Sequence, residues 1–491
     1  MNHYFIIDSL YKEKIYHHTA ILIYIKACRD VLGDVNVRVG NSLNQGFFTY
    51  IETDGSINES TVRKISDRMK SLIDSDIPIN IEKTSVEEAI KLWNASSLSE
   101  KSRLLSIRKP DDVIDVCELQ GYKNYFYSDM LPSTGYIQIY ELRKYKQGIL
   151  LRLPNAISPD AVPEYRDDDK LYDAYADSKR MRRATGLDYL ADLNEKIREG
   201  KIDDVIRMSE EQHAYQIREM AEIIMREGKK IVLIAGPSSS GKTTTTKKLC
   251  KAIGEMGIEP IYLGTDDYFR ERIETPVGED GKPDYESLEA LELELFNRDM
   301  FNLLNGDEID VPEFDFITGK KTFGHRIIRA QKGQIIMIEG IHSLNDALTS
   351  NIDPKDKFKI YISPLTQFGI DRHNRLSTTD ARKLRRMVRD NRTRGMDAET
   401  TLENWHKVRA GENENVFPYS SQADIVFNSS TTYETNLLKT YVEPLLQSIR
   451  RESPQYEEAK RILEFLNYFE PITSSDAVPE DSILREFIGN K

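Results

Sequence analysis

Cysteine is scarce: Cys28, Cys117 and Cys250 are the three in 491 residues. They lie far apart with no C-x-x-C spacing, which excludes a disulfide framework and a zinc knuckle and leaves buried free thiols as the expectation. No apolar run approaches the ~20 residues needed to span a bilayer. The opening Met1-Asn2-His3-Tyr4-Phe5-Ile6-Ile7-Asp8 lacks the basic region, long apolar core and small-residue cleavage site of a secretory signal. No membrane contact and a cytoplasmic location are therefore expected. Positive charge is also in deficit, with 68 Lys and Arg against 81 Asp and Glu and a formal net charge of −13. That balance disfavours non-specific nucleic-acid binding by the whole molecule but is compatible with a local basic site. There is no internal repeat and no low-complexity tract. What remains, at 30% charged residues, is a soluble globular chain long enough for two to four domains.

Against that background one octapeptide stands apart. Gly236-Pro237-Ser238-Ser239-Ser240-Gly241-Lys242-Thr243 reads G-x-x-x-x-G-K-T and follows the apolar run Ile231-Val232-Leu233-Ile234-Ala235. Strand, glycine-rich loop and helix in that order make a phosphate cradle. The glycines let successive backbone N–H groups turn inward, and the helix adds its positive end. Lys242 is expected to reach the β- and γ-phosphates of ATP, and Thr243 to hold Mg²⁺ through its hydroxyl. Gly236, Ser238, Ser239, Ser240, Gly241 and Thr244 complete the candidate nucleotide-binding loop. The alternative is a structural glycine-rich turn.

The stretch 154–169 combines prolines with an acidic run and reads as a surface excursion or linker. Beyond it, Leu193, Ile197, Ile202, Val205, Ile206 and Met208 at helical spacing mark a helical connector interrupted at Gly200. Near residue 228 a new domain opens. Strands are predicted at 231–235, 260–263, 334–338, 358–362 and 424–427, and helices at 242–255, 288–304, 380–394 and 437–449. Apolar strands alternating with helices predict a parallel sheet covered on both faces, with ligands beyond the carboxyl ends of its strands. After Arg450, the residues Ile462, Leu463, Phe465, Leu466 and Phe469 predict a docking helix. The domain reading is thus 1–185, a connector at 186–227, a phosphate-binding domain at 228–450 and a helical tail at 451–491.

A phosphate cradle alone does not separate a kinase from an ATPase or GTPase, and four further clusters bear on the choice. Gly264-Thr265-Asp266-Asp267-Tyr268-Phe269 follows the second strand and puts carboxylates at the ligand edge. Asp266 there could accept a hydroxyl proton or orient a hydroxyl for in-line attack on the γ-phosphate, the alternative being a helix cap. Ile338-Glu339-Gly340-Ile341-His342 ends a buried strand in an acid, the position of a second Mg²⁺ ligand. Val311-Pro312-Glu313-Phe314-Asp315-Phe316 offers aromatics that stack on a ring or anchor a loop. Finally, Arg382, Arg385, Arg386, Arg389, Arg392 and Arg394 fall on one predicted helix. A solvated basic face is the common reading of such a run; beside a phosphate cradle, a lid that clamps phosphates and excludes water fits better.

Taken in order, G-P-S-S-S-G-K-T, T-D-D-Y-F, P-D-Y, P-E-F-D-F, E-G-I and R-R-M-V-R-D-N-R-T-R-G resemble the uridine kinase and phosphoribulokinase family over about residues 229–449. The resemblance implies that Asp266 engages the 5′-hydroxyl of a ribose and that Asp284 binds the acceptor sugar. It also implies that Tyr268 and Phe314 lie beside the acceptor and that Arg385, Arg389 and Arg394 form the lid. There is one departure: family members usually carry Tyr-Asp-Phe and then a pyrimidine-reading His, where this chain has Phe314 and Gly319. That puts pyrimidine selectivity in doubt while leaving the transfer chemistry intact.

The first part of the chain resembles the second additional domain of threonyl-tRNA synthetases. The resemblance lies in Tyr16-His17-His18-Thr19-Ala20, Val39-Gly40-Asn41-Ser42-Leu43-Asn44-Gln45-Gly46-Phe47-Phe48 and Ser128-Asp129-Met130-Leu131-Pro132. That domain holds H-x-x-x-H and a later C-x-x-x-H. Here Ile21 and Leu22 stand four residues after His17 and His18, Leu131 replaces the Cys and Gly135 the later His. One or two histidines do not make that metal site, so a retained fold without editing hydrolysis is expected.

The reading is therefore an α/β fold: a P-loop NTPase-type parallel sheet with helices on both faces, preceded by an α+β synthetase-like domain. The expected activity is ATP- and Mg²⁺-dependent transfer of a γ-phosphoryl group to the 5′-hydroxyl of a nucleoside, catalysed by Asp266, Lys242, Arg385 and Arg389. Thr243 and Glu339 would be the metal ligands, and Arg389 and Arg394 would lie against acceptor and nucleotide. Two alternatives stand beside it: a kinase for another sugar or small alcohol, and an RNA-binding protein with a nucleotide-driven switch. A homo-oligomer is expected.

Overall fold

The computed structural model describes residues 5–490, apart from 54, 97, 279–280, 282, 316–317, 367–368 and the side chains of 177–184. Met1–Tyr4 and Phe316, named above, lie outside the described residues. The chain gathers into two compact units. Unit 1 comprises Met1–Ile202, Thr366–Asp380 and Leu446–Thr473, and unit 2 comprises Asp203–Leu365, Ala381–Leu445 and Ser474–Lys491. The units are thus assembled from separated stretches and not from consecutive blocks.

Unit 1 is built around helix α1 (Leu10–Leu32), capped by the Ser9 hydroxyl on Lys12 N–H and ended at Gly33 with φ +86°. Its middle, Ala20–Ile25, is apolar all round and buried all round, the pattern of a central core helix. Strands β1 (Asn36–Leu43) and β2 (Gly46–Glu52) form a hairpin through Asn44-Gln45, both at positive φ, a turn whose twist matches that of the strands. Helix α2 (Glu59–Asp74) follows, then β3 (Asn80–Ser85), α3 (Val86–Asn94), α4 (Ser99–Leu105), β4 (Val113–Leu119), β5 (Tyr122–Asn124), β6 (Glu141–Tyr145), β7 (Gly148–Arg152), α5 (Asp169–Ala184) and α6 (Leu190–Arg198). The strands form antiparallel sheets ordered β1-β2-β7-β6 and β3-β4-β5. The stretch 366–380 belongs here because its polar groups are satisfied here. Asp371 makes a fully buried ion pair with Lys101 at 3.1 Å, and the Asn374 amide donates to the Tyr125 carbonyl at 3.1 Å.

Unit 2 opens with α7 (Ile202–Glu227), which follows the break at Gly200 with φ +68°. The elements β8 (Ile231–Ala235), α8 (Lys242–Glu255), β9 (Ile261–Gly264) and α9 (Leu293–Asn305) come next. Two small antiparallel pairs join β10 (Glu308–Asp310) to β13 (Ile327–Arg329) and β11 (Glu313–Asp315) to β12 (Lys320–Thr322). The unit continues with β14 (Ile336–Glu339), β15 (Lys357–Ser363), α10 (Thr378–Arg394) from Ala381 on, α11 (Ala398–Asn415), β16 (Ile425–Asn428) and α12 (Glu434–Gln447) as far as Leu445. Helix α13 (Tyr456–Leu466) lies in the last stretch of unit 1, and α14 (Arg485–Ile488) in the last stretch of unit 2.

The five-stranded sheet of unit 2 is parallel throughout, in the order β16-β15-β8-β14-β9. Every residue of β8 is buried, as a central strand covered on both faces requires. The register levels Glu339 with Ile234 on one side and Gly264 on the other. The end of β14 therefore falls beside the loop after β8 and the turn after β9. Among the described residues no helix is long and apolar enough to cross a membrane.

Candidate active site

The loop between β8 and α8 keeps its shape through two glycines. A Cβ at Gly236 would collide with the Ile362 carbonyl oxygen, so β15 can approach only a glycine. Gly241 caps α8 at φ +81°, in the left-handed region. The loop's donors are aimed at acids. Ser238 N–H donates to Glu412 at 2.9 Å, and the Thr244 hydroxyl and N–H donate to Glu486 at 2.8 and 3.4 Å. Carboxylates seated on these N–H groups mark the loop as a binder of oxyanions. Lys242 donates to the Pro237 carbonyl at 3.3 Å.

Thr243 and Glu339 meet at the edge of the sheet. The Thr243 hydroxyl donates to a Glu339 carboxylate oxygen at 3.2 Å, and the Tyr262 hydroxyl reaches the same oxygen at 3.2 Å. Burial pushes the Glu339 carboxyl up to about 7; Lys242 opposes the shift, while Asp266 and Glu486 add to it. A hydroxyl and a carboxylate beside a phosphate cradle are a hard-oxygen donor set. That suits Mg²⁺, which takes one or two carboxylates together with phosphate and water. Among the described residues no cluster of three or more His, Cys, Asp or Glu could hold a metal on its own.

Asp266 lies in the turn Thr265–Tyr268 after β9 and is open to solvent. The protein around its carboxyl raises the pKa, and the cations Lys242 and Arg394 pull it back. Lys242 thus acts on Asp266 and on Glu339 alike. Glu286 faces the same region: burial and Glu412 push it up to about 7, against Arg386 and Lys242. Asp284 joins through the backbone, its carboxylate accepting from Glu286 N–H at 3.0 Å. Two expected acceptor contacts are placed differently. Tyr268 is fully buried, with its hydroxyl on Asp299 at 3.2 Å and its ring against Phe296, so it anchors the turn to α9 and does not face an open site. Phe314 is buried in a cluster with Phe269 and Tyr285.

The arginines of α10 divide by environment. Arg385 is fully buried, paired with Glu434 at 2.6 Å and bonded to the Ser429 carbonyl at 2.8 Å. It is an internal brace beneath the loop, since a clamp must be free to reach a ligand and this guanidinium is already neutralised. Arg382 makes a bidentate buried pair with Glu412 and donates to the Ser238 carbonyl at 3.1 Å. Arg386, Arg389 and Arg394 converge on fully buried Asp390 at 3.1, 2.8 and 3.6 Å. Arg386 also donates to the Ser238 hydroxyl at 2.8 Å.

The structure therefore brings together the loop, Glu339, Asp266, Asp284 and the outer arginines, and holds Tyr268, Phe314 and Arg385 as packing. Sequence reasoning missed Glu286, Glu412, Glu486, Tyr262 and Asp390. Only Asp390 carried a signal, as an acid four residues from both Arg386 and Arg394.

Residues 231–436 match the model of the Phosphoribulokinase / Uridine kinase family. The chain is 27% identical over 226 residues to a uridine kinase of Anoxybacillus flavithermus, covering 45% of this chain and 98% of the relative. It is 28% identical over 220 residues to a uridine kinase of Macrococcus caseolyticus, covering 44% and 97%. A solved structure described as a possible uridine kinase from Bacillus stearothermophilus aligns at 20% identity with a TM-score of 0.30, covering 43% of this chain and 96% of that one. With its parallel sheet, glycine loop and sheet-edge carboxylates, the region 231–436 is a Phosphoribulokinase / Uridine kinase family domain, and the chain is a phosphotransferase with an alcohol group as acceptor.

Proposed function

We propose that the protein is an ATP- and Mg²⁺-dependent kinase that phosphorylates the 5′-hydroxyl of a nucleoside. The observation that carries this reading is the sheet edge, where the Thr243 hydroxyl meets Glu339 at 3.2 Å and Glu339 is level with Gly264, after which the Asp266 turn begins. Donor and acceptor groups thereby lie side by side. The uridine kinase relatives, matched over nearly their whole length, support the acceptor class.

ATP would supply the phosphoryl group, and bound Mg²⁺ would neutralise the charge developing on it. The N–H groups of Gly241 to Thr244 and the Lys242 ammonium would hold the phosphates, with Gly236 and Ser238–Ser240 shaping the loop. Thr243 and Glu339 would hold the metal, which requires an ionised Glu339; Lys242 favours that form. Asp266 would orient the acceptor hydroxyl and take its proton. Its raised carboxyl holds a proton better than a free aspartate does, as a general base benefits from. Asp284 would bind the sugar. Arg389 and Arg394, oriented by Asp390, would stabilise charge on the transferred group and exclude water.

Gly319 and Phe314 favour a second reading, a kinase for another sugar or small alcohol. Gly319 presents no side chain, and the Arg272 side chain packs directly over it, while Phe314 has no hydroxyl to read a base edge. Measuring ADP release across nucleosides, free sugars and small alcohols tests both. Turnover with a nucleoside supports the first reading, turnover restricted to other alcohols supports the second, and turnover with neither contradicts both.

Residues 1–185 are proposed to keep the synthetase-like fold without its hydrolytic metal site, linked through 186–227 to the kinase domain at 228–450. In support, the buried His17 and half-buried His18 rings are engaged by the Pro154 carbonyl at 2.8 Å and the Ser128 hydroxyl at 2.6 Å. Purified protein is expected to leave mischarged tRNA intact, and hydrolysis would contradict this.

A further inference from the structure

The last stretch of unit 2, residues 474–490, is a strap packed on the phosphate loop and its helix. Val478, Ile483, Leu484, Phe487 and Ile488 are buried. Arg485 staples the strap to itself through the carbonyls of Ser475 and Val478 at 2.9 and 2.7 Å. Ile483 lies against Gly241, the cap of α8. The strap is also tied to α10, where Arg392 donates to the Phe487 and Glu486 carbonyls at 3.0 and 2.9 Å.

Glu486 is the strap residue that touches phosphate-binding donors. Thr244 is the third residue of α8, so its N–H is one of the four at a helix start with no intrahelical acceptor. In a loop of this kind such N–H groups hold phosphate oxygens. The Glu486 carboxylate accepts from that N–H at 3.4 Å and from the Thr244 hydroxyl at 2.8 Å. It is also close enough to raise the Glu339 carboxyl. A phosphate at Thr244 would meet a like charge on donors already in use, and the two anions cannot both be held there.

We infer that the C-terminal strap is a built-in competitor of the nucleotide, with Glu486 seated where a phosphate of the nucleotide must bind. Nucleotide entry then requires the Glu486 carboxylate to leave Thr244. Because Arg392 grips the backbone beside it, that departure is coupled to the arginine helix α10. The strap sets the affinity for nucleotide without supplying any group to the transfer itself. This inference rests on the proposed nucleotide role of the loop.

The test is the affinity of the full chain for ATP with Mg²⁺, measured by calorimetry on wild type, Glu486→Gln, Glu486→Ala and Asp481→Asn. Asp481 lies on the same strap, where it pairs with Lys248 at 2.9 Å away from the Thr244 donors. Removing the competing charge is expected to tighten ATP binding about tenfold in both Glu486 variants, with Asp481→Asn unchanged. Wild-type binding that is unaltered or weakened by Glu486→Gln overturns the inference while leaving the nucleotide site standing. Equal tightening in Asp481→Asn also overturns it, because general charge would then be the cause. Failure of every protein to bind ATP overturns the nucleotide role and the inference together.

Discussion

The buried pair Arg385–Glu434 provides a quantitative test of how the loop is braced. Arg385 is fully buried and Glu434 is 3% exposed, with 2.6 Å between nitrogen and oxygen. The same Glu434 oxygen accepts from Thr431 N–H at 2.9 Å. Glu434→Ala strands a guanidinium among the Ser429 carbonyl and the Phe487 ring and frees an N–H group. Breaking a buried pair from one side costs about 3–5 kcal/mol, whereas replacing both partners by apolar groups is near neutral. Arg385→Met with Glu434→Leu is therefore expected to recover most of the loss. The chain has two tryptophans, Trp93 in unit 1 and Trp405 in unit 2, so a Trp93→Phe background makes emission report on unit 2 alone. With a urea slope near 3 kcal/mol/M, the single variant should lower the midpoint by about 1–2 M. A fall below about 0.3 M, the size of an exposed pair, refutes the reasoning. So does a double variant as unstable as the single one.

Other expectations follow from single contacts. Gly236→Ala drives a Cβ into the Ile362 carbonyl, and calorimetry should find ATP binding lost while circular dichroism shows the sheet retained. Glu339 titrates near 7 folded against an ordinary 4.5. Its contribution to the stability of the nucleotide-free protein is complete below pH ~4.5 and is lost as pH rises through ~7. The urea midpoint of wild type relative to Glu339→Gln should therefore fall as pH rises across that window. Lys101→Met leaves Asp371 buried without its cation, and the Trp93 transition should shift to lower urea by at least 1 M.

The parallel sheet and its loop were legible because they rest on local signals. Ile231–Ala235 is apolar without alternation, as a strand buried on both faces must be, and Gly236 and Gly241 stand where backbone geometry admits nothing larger. Asp266 and Glu339 were singled out because each stands at the carboxyl end of a predicted strand. Glu412, Glu486 and Glu286 were not, since each reaches the loop from a distant stretch whose own composition is that of an ordinary exposed helix or turn. Arg385 and Arg389 look alike in sequence, and only the presence of Glu434 beneath one and Asp390 beside the other sets their environments apart. Tyr268 shared a motif with Asp266, yet at one side of a tight turn it points into the core. The discontinuous units were invisible for a related reason. The pairing of Lys101 with Asp371 spans 270 positions and leaves no periodic trace.

The central claim is that Asp266 serves the acceptor while the loop serves the nucleotide. The most direct measurement compares wild type with Asp266→Asn for phosphoryl transfer from ATP to the best acceptor and, in parallel, for ATP affinity. In Asp266→Asn, kcat should fall at least about 100-fold with ATP affinity within about twofold of wild type. Turnover in Asp266→Asn at the wild-type rate would contradict the claim.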